Sequence, residues 1–389
     1  RDLYQAVRSA ARAAAPKTTA RTNSSAWESW VAWCRRMGAD PWRNDRDSNT
    51  GRDHAGREKE TLLLAGFVLN SYMEMAPGPG RKVPKPQSAM NRAYAVRRVH
   101  ATENIEMVDL KFVNRVLRGM TVRFVEEHGP EALAPQHREP FTREDLTNLF
   151  AVPEGTKVSG FSPVSWTDPL WAATRARHAL QSETGFRVSE VAGPFTTSAL
   201  KRANLRWRFR GRIYESLTEE QLRALDEGDA AIIRPPPAKN DTFGAHFGGH
   251  PIWLRYDPSV SHNAAWRLAQ YELVAPCTGD RKEWPLFARD GRALAFSQDH
   301  AQKLLRGLLL SFKSNAEAQR YSVHSFRVYY ACALLAAGYS LWEIQAFARW
   351  KTASSAKLYA RLNPEDYMRS GDRAAQADVS SFTSKSLFD

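Results

Sequence analysis

The chain has 389 residues, 43% hydrophobic and 25% charged, an ordinary globular composition with enough length for two domains with separate cores. Fifty-five Lys and Arg against forty-two Asp and Glu leave a formal charge of +13, which calls for a polyanionic partner, nucleic acid ahead of a membrane surface. No run approaches the roughly 18 apolar residues of a spanning helix, no signal segment opens the chain, and three widely spaced cysteines (Cys34, Cys277, Cys332) argue against a disulfide framework or a zinc knuckle.

An intracellular, DNA-associated protein is the expectation, in a prokaryotic cytoplasm or a eukaryotic nucleus alike. The chain opens on Arg1 and not on Met, which leaves the true start of the product open.

The first residues, Ala-rich with several cations, read as a basic arm over 1–17. From Thr18 a helix is expected in which Trp27, Trp30, Val31 and Cys34 share a face and Gly38 ends the run. A charged loop through Glu58 follows, then helices near 60–75, 87–101 and 108–127, with the turn-rich A-P-G-P-G-R-K-V-P-K-P after the first of these. In the last one Phe112, Val113, Val116, Leu117 and Met120 fall within an arc of about 140°, opposite Lys111, Arg115 and Arg118. One face should pack and the other is cationic. Together with Arg92, Arg97 and Arg98 on the preceding helix, these six cations are the expected DNA contacts of an all-helical unit over 1–130.

Residues 131–141, rich in Pro and without periodicity, read as a linker. Thr142 opens a capping box, and a helix near 168–183 precedes L-R-W-R-F-R, where Leu205, Trp207 and Phe209 alternate with Arg206, Arg208 and Arg210. That period of two means a strand with one packed and one basic face, and it adds Arg206 and Arg208 to the expected DNA contacts. Further strands are expected at 230–234 and 250–255, joined by a Pro- and Gly-rich loop that carries Lys239. The rest, from His262 to about Leu362, reads as helical, with Gly338 as a stop and Ser340 to Glu343 as a capping box. The fold class is thus mainly α with a small antiparallel β-sheet. A domain over 142–366 and a tail over 367–389 complete the division, the tail having an apolar end in Phe382, Leu387 and Phe388.

Chemistry concentrates in the second domain. His324 and Arg327 stand three apart, Arg187 and Glu190 likewise, Trp350 follows Arg327 by twenty-three residues, and Tyr359 follows Trp350 by nine. A guanidinium stays charged and presents paired donors that match a phosphate, so Arg187 and Arg327 are suited to the non-bridging oxygens of a phosphodiester. A tyrosine hydroxyl could then attack phosphorus and form a covalent intermediate, with no metal or nucleotide required. Tyr329, Tyr330 and Tyr367 compete with Tyr359 for that role. Other chemistries fare worse: His246 and His250 lack a third ligand, and G-P-G-R-K lacks the rest of a Walker pattern.

The set Arg187, Glu190, Lys239, His324, Arg327, Trp350 and Tyr359, in this order, resembles the catalytic domain of the tyrosine recombinases, the phage-integrase family, over roughly residues 140–365. Tryptophan where many members have histidine looks most like the Cre subgroup. The long, proline-rich separation between Arg187 and Lys239 departs from the pattern. The resemblance implies a two-domain clamp on double-stranded DNA and a homotetramer with the tail docked into a neighbour. Its chemistry would join Tyr359 to a 3′ phosphate with Lys239 as general acid, His324 as proton acceptor, Glu190 orienting Arg187 or His324, and Trp350 packed at the phosphate. Site-specific recombination or integration is the activity implied. Mobile-element recombinases, telomere resolvases and type IB topoisomerases share that chemistry, and a DNA-binding protein that has lost it would share the fold.

Overall fold

In the computed structural model, which describes residues 5–6, 9, 17–43, 54–76, 83–133, 139–193, 199–237, 241 and 250–350, Trp30 and Cys34 stand one turn apart on α1 (Lys17–Arg36) and are fully buried. They meet Leu64, Phe67 and Val68 of α2 (His54–Met73), Met90, Ala93 and Val96 of α3 (Pro86–Thr102) and Val113 of α4 (Lys111–His128), which together make the core of a first unit, 1–136. The spacing that buries these residues is that of amphipathic helices. Trp30 still needs a partner for its indole N–H and finds the Pro41 carbonyl at 2.7 Å.

Two expectations change here. Helix α2 starts at His54 and not near residue 60, because the charged stretch read as loop is its solvated first turns: Glu58 and Lys59 are exposed, and Glu60 pairs with Arg43. Phe112, expected on the packed face of α4, is exposed. It sits at the edge of the apolar arc in the first turn, whereas Val113 and Met120 lie nearer the middle of the arc and are buried.

The second unit, 137–389, begins with α5 (Arg143–Phe150), capped by Thr142 and Asp145 in a reciprocal box. Asp168 accepts from the Leu170 amide and Pro169 takes the first position of α6 (Pro169–Thr184), the central helix of this unit, whose Trp171, Ala173, Ala176 and Leu180 are all buried. After the one-turn α7 (Val188–Val191) come β1 (Leu205–Phe209), β2 (Arg212–Tyr214), a short α8 (Glu219–Arg223), β3 (Ala230–Ile233) and β4 (Ile252–Arg255), in an antiparallel sheet of order β2-β1-β3-β4. Leu205, Trp207 and Phe209 face the core and Arg206 and Arg208 face out, as the period of two requires. Strand β2 is absent from the sequence reading. It is only three residues long, and its tight turn is made by Arg210 and Gly211, both at positive φ (48° and 78°), where Asn-Gly would have been the visible signal.

Helix α9 (Ala264–Val274) packs on α6, and α10 (Gln298–Leu309), α11 (Asn315–Ala318), α12 (Ser325–Ala336) and α13 (Leu341–Phe347) follow. Residues 275–297, expected as helix, contain none; Pro276, Pro285, Gly279 and Gly291 break the run, and the segment is held by bridges such as Lys201 with Pro285. The architecture is mainly α with a small antiparallel sheet, and no helix among the described residues is long and apolar enough to cross a membrane.

At the start of α9 the Ala264 amide donates to Glu183 Oε1 at 3.0 Å, joining α9 to the end of α6. Burial, with a smaller push from Asp257, raises this carboxyl to about 8, so the neutral acid is the favoured form in the fold. A group raised in the folded state contributes stability that is present below its unfolded value and lost as pH climbs through the folded one. The melting temperature is therefore expected to fall between about pH 5 and pH 8, and Glu183→Gln to flatten that slope, as thermal melts across the range will check.

Candidate active site

The site is built where α6 stops. Gly185 closes the helix in the left-handed conformation, φ 60°, and the chain turns through Phe186 into Arg187, which is extended and caps α7. Only glycine fits there on two counts: the conformation itself, and the Tyr330 ring, whose Cδ1 would lie 2.8 Å from an added Cβ. That tight corner turns the chain from α6 to Arg187.

Arg187 is then fixed by its own neighbour. Its amide donates to Glu190 Oε2 at 2.6 Å and its Nη1 to Glu190 Oε1 at 3.3 Å, while the Glu190 carboxylate is buried at 1% exposure. The Arg187 side chain keeps 23% exposure, so its guanidinium is braced from behind and still reaches solvent. Such a brace spends little entropy on binding, because the fork is already oriented.

Arg327, on the first turn of α12, is 3% exposed. It donates to the Gly185 carbonyl through Nη1 and to the Ala348 carbonyl through Nη2 at 3.0 Å, and its guanidinium carbon lies 5.1 Å from the centre of the Trp350 ring. One side chain thus ties the end of α6 to the end of α13 and carries Trp350, itself 3% exposed, alongside. His324 occupies the cap position of α12 instead of its first turn and is exposed, with its amide donating to Ser322 Oγ at 3.2 Å. The Arg187, Glu190, Arg327 and Trp350 of the sequence reading are brought together, and His324 stands at the mouth of the same helix. Lys239 and Tyr359 lie outside the described residues, as does the tail over 367–389.

A further cation, Arg349, belongs to this cluster and was missed in sequence. Its Nη2 lies 3.4 Å from Glu190 Oε2 and its guanidinium carbon 4.0 Å from the centre of the Phe186 ring. Burial lowers its pKa and the Glu190 carboxylate opposes that shift. Nothing in a single sequence marks an arginine beside a tryptophan as special; only the fold shows that it faces Glu190, 159 positions away.

Two of the competing tyrosines, Tyr329 and Tyr330, are half-buried on α12. Burial pushes Tyr330 up to about 12 and raises Tyr329 as well, so both hold their protons more tightly than a free tyrosine. The expected DNA contacts of the first unit lie on its surface. Lys111, Arg115, Arg118 and Arg98 are exposed, while Arg92 and Arg97 are half-buried; Arg98 also donates to Asn23 at 3.2 Å. In the second unit Arg206 and Arg208 stand on the outer face of β1, and Arg206 pairs with Glu215 at 3.1 Å.

No family model matches the sequence, and no curated protein matches it. Solved structures do. The chain is similar to the XerA recombinase at 12% identity and a TM-score of 0.37, over 92% of this chain and 99% of that one. It is similar to the Tn1549 transposon integrase in complex with a circular intermediate DNA at 12% and 0.42, over 90% and 99%. The XerH site-specific recombinase bound to its difH substrate gives 12% and 0.38, over 91% and 97%.

Because the corner at residue 185 sets Arg187, Gly185→Ala is expected to destabilise the protein by about 1–3 kcal/mol through backbone strain. Trimming the clash with Tyr330→Ala in the same chain should not restore it, since φ remains positive; chemical denaturation of both variants gives the measurement.

Proposed function

We propose that this chain is a tyrosine recombinase, a site-specific recombinase or integrase that cleaves and rejoins double-stranded DNA through Tyr359, working as a homotetramer. The observation that supports the reading is that Arg327, 140 positions after Arg187, donates to the Gly185 carbonyl two residues before Arg187 and lies beside Trp350, with Tyr359 nine residues further along in sequence. Tryptophan at position 350 supports a Cre-like member.

The chemistry follows from charge. A phosphodiester repels nucleophiles, and attack concentrates negative charge on its non-bridging oxygens. Arg187 and Arg327 hold those oxygens. The hydroxyl of Tyr359 attacks phosphorus, a P–O bond to tyrosine forms as the bond to the 5′ oxygen breaks, and the 3′ phosphate is left on the enzyme. His324 takes the phenolic proton, which matters because a phenol of pKa near 10 is only about one part in a thousand ionised at neutral pH. Lys239 gives a proton to the departing 5′ oxygen, and rejoining runs the same steps in reverse. Glu190 orients Arg187. Arg92, Arg97, Arg98, Lys111, Arg115 and Arg118, with Arg206 and Arg208, neutralise the phosphates of the duplex. No step calls on a metal or a nucleotide.

The test uses a nicked duplex recovered from a random-sequence library for cleavage by the wild-type chain, in EDTA. A covalent protein–DNA adduct is expected, lost in Tyr359→Phe and kept in Tyr329→Phe and Tyr330→Phe, with Arg187→Ala or Arg327→Ala slowing its formation by about 10²–10³. An adduct that needs magnesium, or survives Tyr359→Phe, sinks the proposal. In filter binding the logarithm of affinity should fall with that of salt at about −0.9 per phosphate neutralised, and replacing one of the eight DNA-facing cations should reduce the slope by about one.

A further inference from the structure

Glu190 is shared. Its Oε1 accepts from Arg187 Nη1 at 3.3 Å, and its Oε2 lies 3.4 Å from Arg349 Nη2, so two guanidinium groups flank one buried carboxylate. Arg349 is 7% exposed and sits at φ 53°, one of three non-glycine residues at positive φ among the described residues. A glycine would hold that backbone with less strain, and a long cationic side chain is there instead, its charge turned inward onto Glu190 and its plane near Phe186.

The geometry poses a problem that Arg349 solves. A carboxylate is the best brace for an arginine, because it takes both the Arg187 amide and its guanidinium. The same carboxylate cancels the charge it braces: Arg187 with Glu190 alone is a neutral pair, poorly suited to attract an oxyanion. With Arg349 on the other side the trio carries one net positive charge.

We propose that Arg349 is a positioning residue that sets the charge of an oxyanion pocket: by sharing Glu190 it leaves Arg187 braced and still cationic toward a phosphate. This rests on the reading of Arg187 as a phosphate ligand given above. Arg349 touches no reacting atom in it and acts through Glu190. The ligand class is a phosphate or phosphodiester, and inorganic phosphate is the probe.

Four full-length chains form a charge ladder around Arg187: Glu190→Gln raises the trio by one charge, wild type and the double variant Glu190→Gln with Arg349→Gly carry the same charge, and Arg349→Gly is neutral. The measurement is the rise in melting temperature with phosphate, at ionic strength held constant by chloride, converted to an apparent Kd. Arg349→Gly is expected to bind phosphate about tenfold more weakly than wild type, and adding Glu190→Gln to recover most of that loss. Glu190→Gln alone should bind at least as tightly as wild type. The remaining cations of the surface are common to all four chains and cancel in the comparison.

A role for Arg349 in packing alone predicts the opposite order, with the double variant no better than Arg349→Gly and Glu190→Gln weaker than wild type; that order, or a wild type that does not respond to phosphate, overturns the proposal. Should Arg349→Gly melt too low to assay, Arg349→Met, which keeps a long side chain against Phe186 without the charge, reads the same loss. Arg349→Lys, which keeps the charge, should retain the response. Absence of the Tyr359 adduct while the ladder holds would refute the strand-cleavage reading and leave the charge assignment standing. An adduct with the ladder failing would do the reverse.

Discussion

One guanidinium holds the second unit's site together. Arg327 is buried, and two of its donors go to carbonyls at the ends of different helices, Gly185 after α6 and Ala348 after α13. Those carbonyls are among the groups that a helix leaves unsatisfied at its C-terminal end, where the helix dipole is also negative, so a cation is favoured there on both counts. The interaction fixes the relative position of three stretches far apart in the chain, 185–190, 324–327 and 348–350. Carbonyl oxygens orient a guanidinium without removing its charge. A carboxylate in the same place would have given a tighter pair and a weaker electrophilic site.

Arg187 is handled differently. It is braced by a carboxylate, and the cost in charge is met by a second arginine on the far side of Glu190. The two arginines proposed to face a phosphate are thus oriented by different means, one by carbonyls and one by a carboxylate. The surrounding burial raises the stakes of each charge, since a low-dielectric environment strengthens interactions that are satisfied and penalises those that are not. The same burial raises the Tyr329 and Tyr330 hydroxyls above the ordinary phenol value.

The elements themselves were largely legible. Helices with a clean apolar stripe, such as α1 and α4, and the strand with alternating Arg and apolar residues, β1, follow from periods of 3.6 and 2 that any sequence displays. Capping boxes at Thr142 and Ser340 mark helix starts by local hydrogen bonding alone. What escaped was short or non-local. Strand β2 has three residues and an unusual turn, the start of α2 is hidden by charges that are simply solvated, and 275–297 owes its path to bridges with distant backbone.

By itself the sequence determined the residue types suited to phosphate chemistry, their order, the basic faces and the mainly helical class with its small sheet, because each of these depends on local spacing or composition. Tertiary structure alone decided that Arg349 faces Glu190, that Arg327 points at the ends of two helices, and that His324 stands outside its helix at the surface. The Arg349–Glu190 and Arg327–Gly185 contacts join segments more than a hundred residues apart, and the others depend on how the ends of short helices meet, so none of them leaves a period in a single chain.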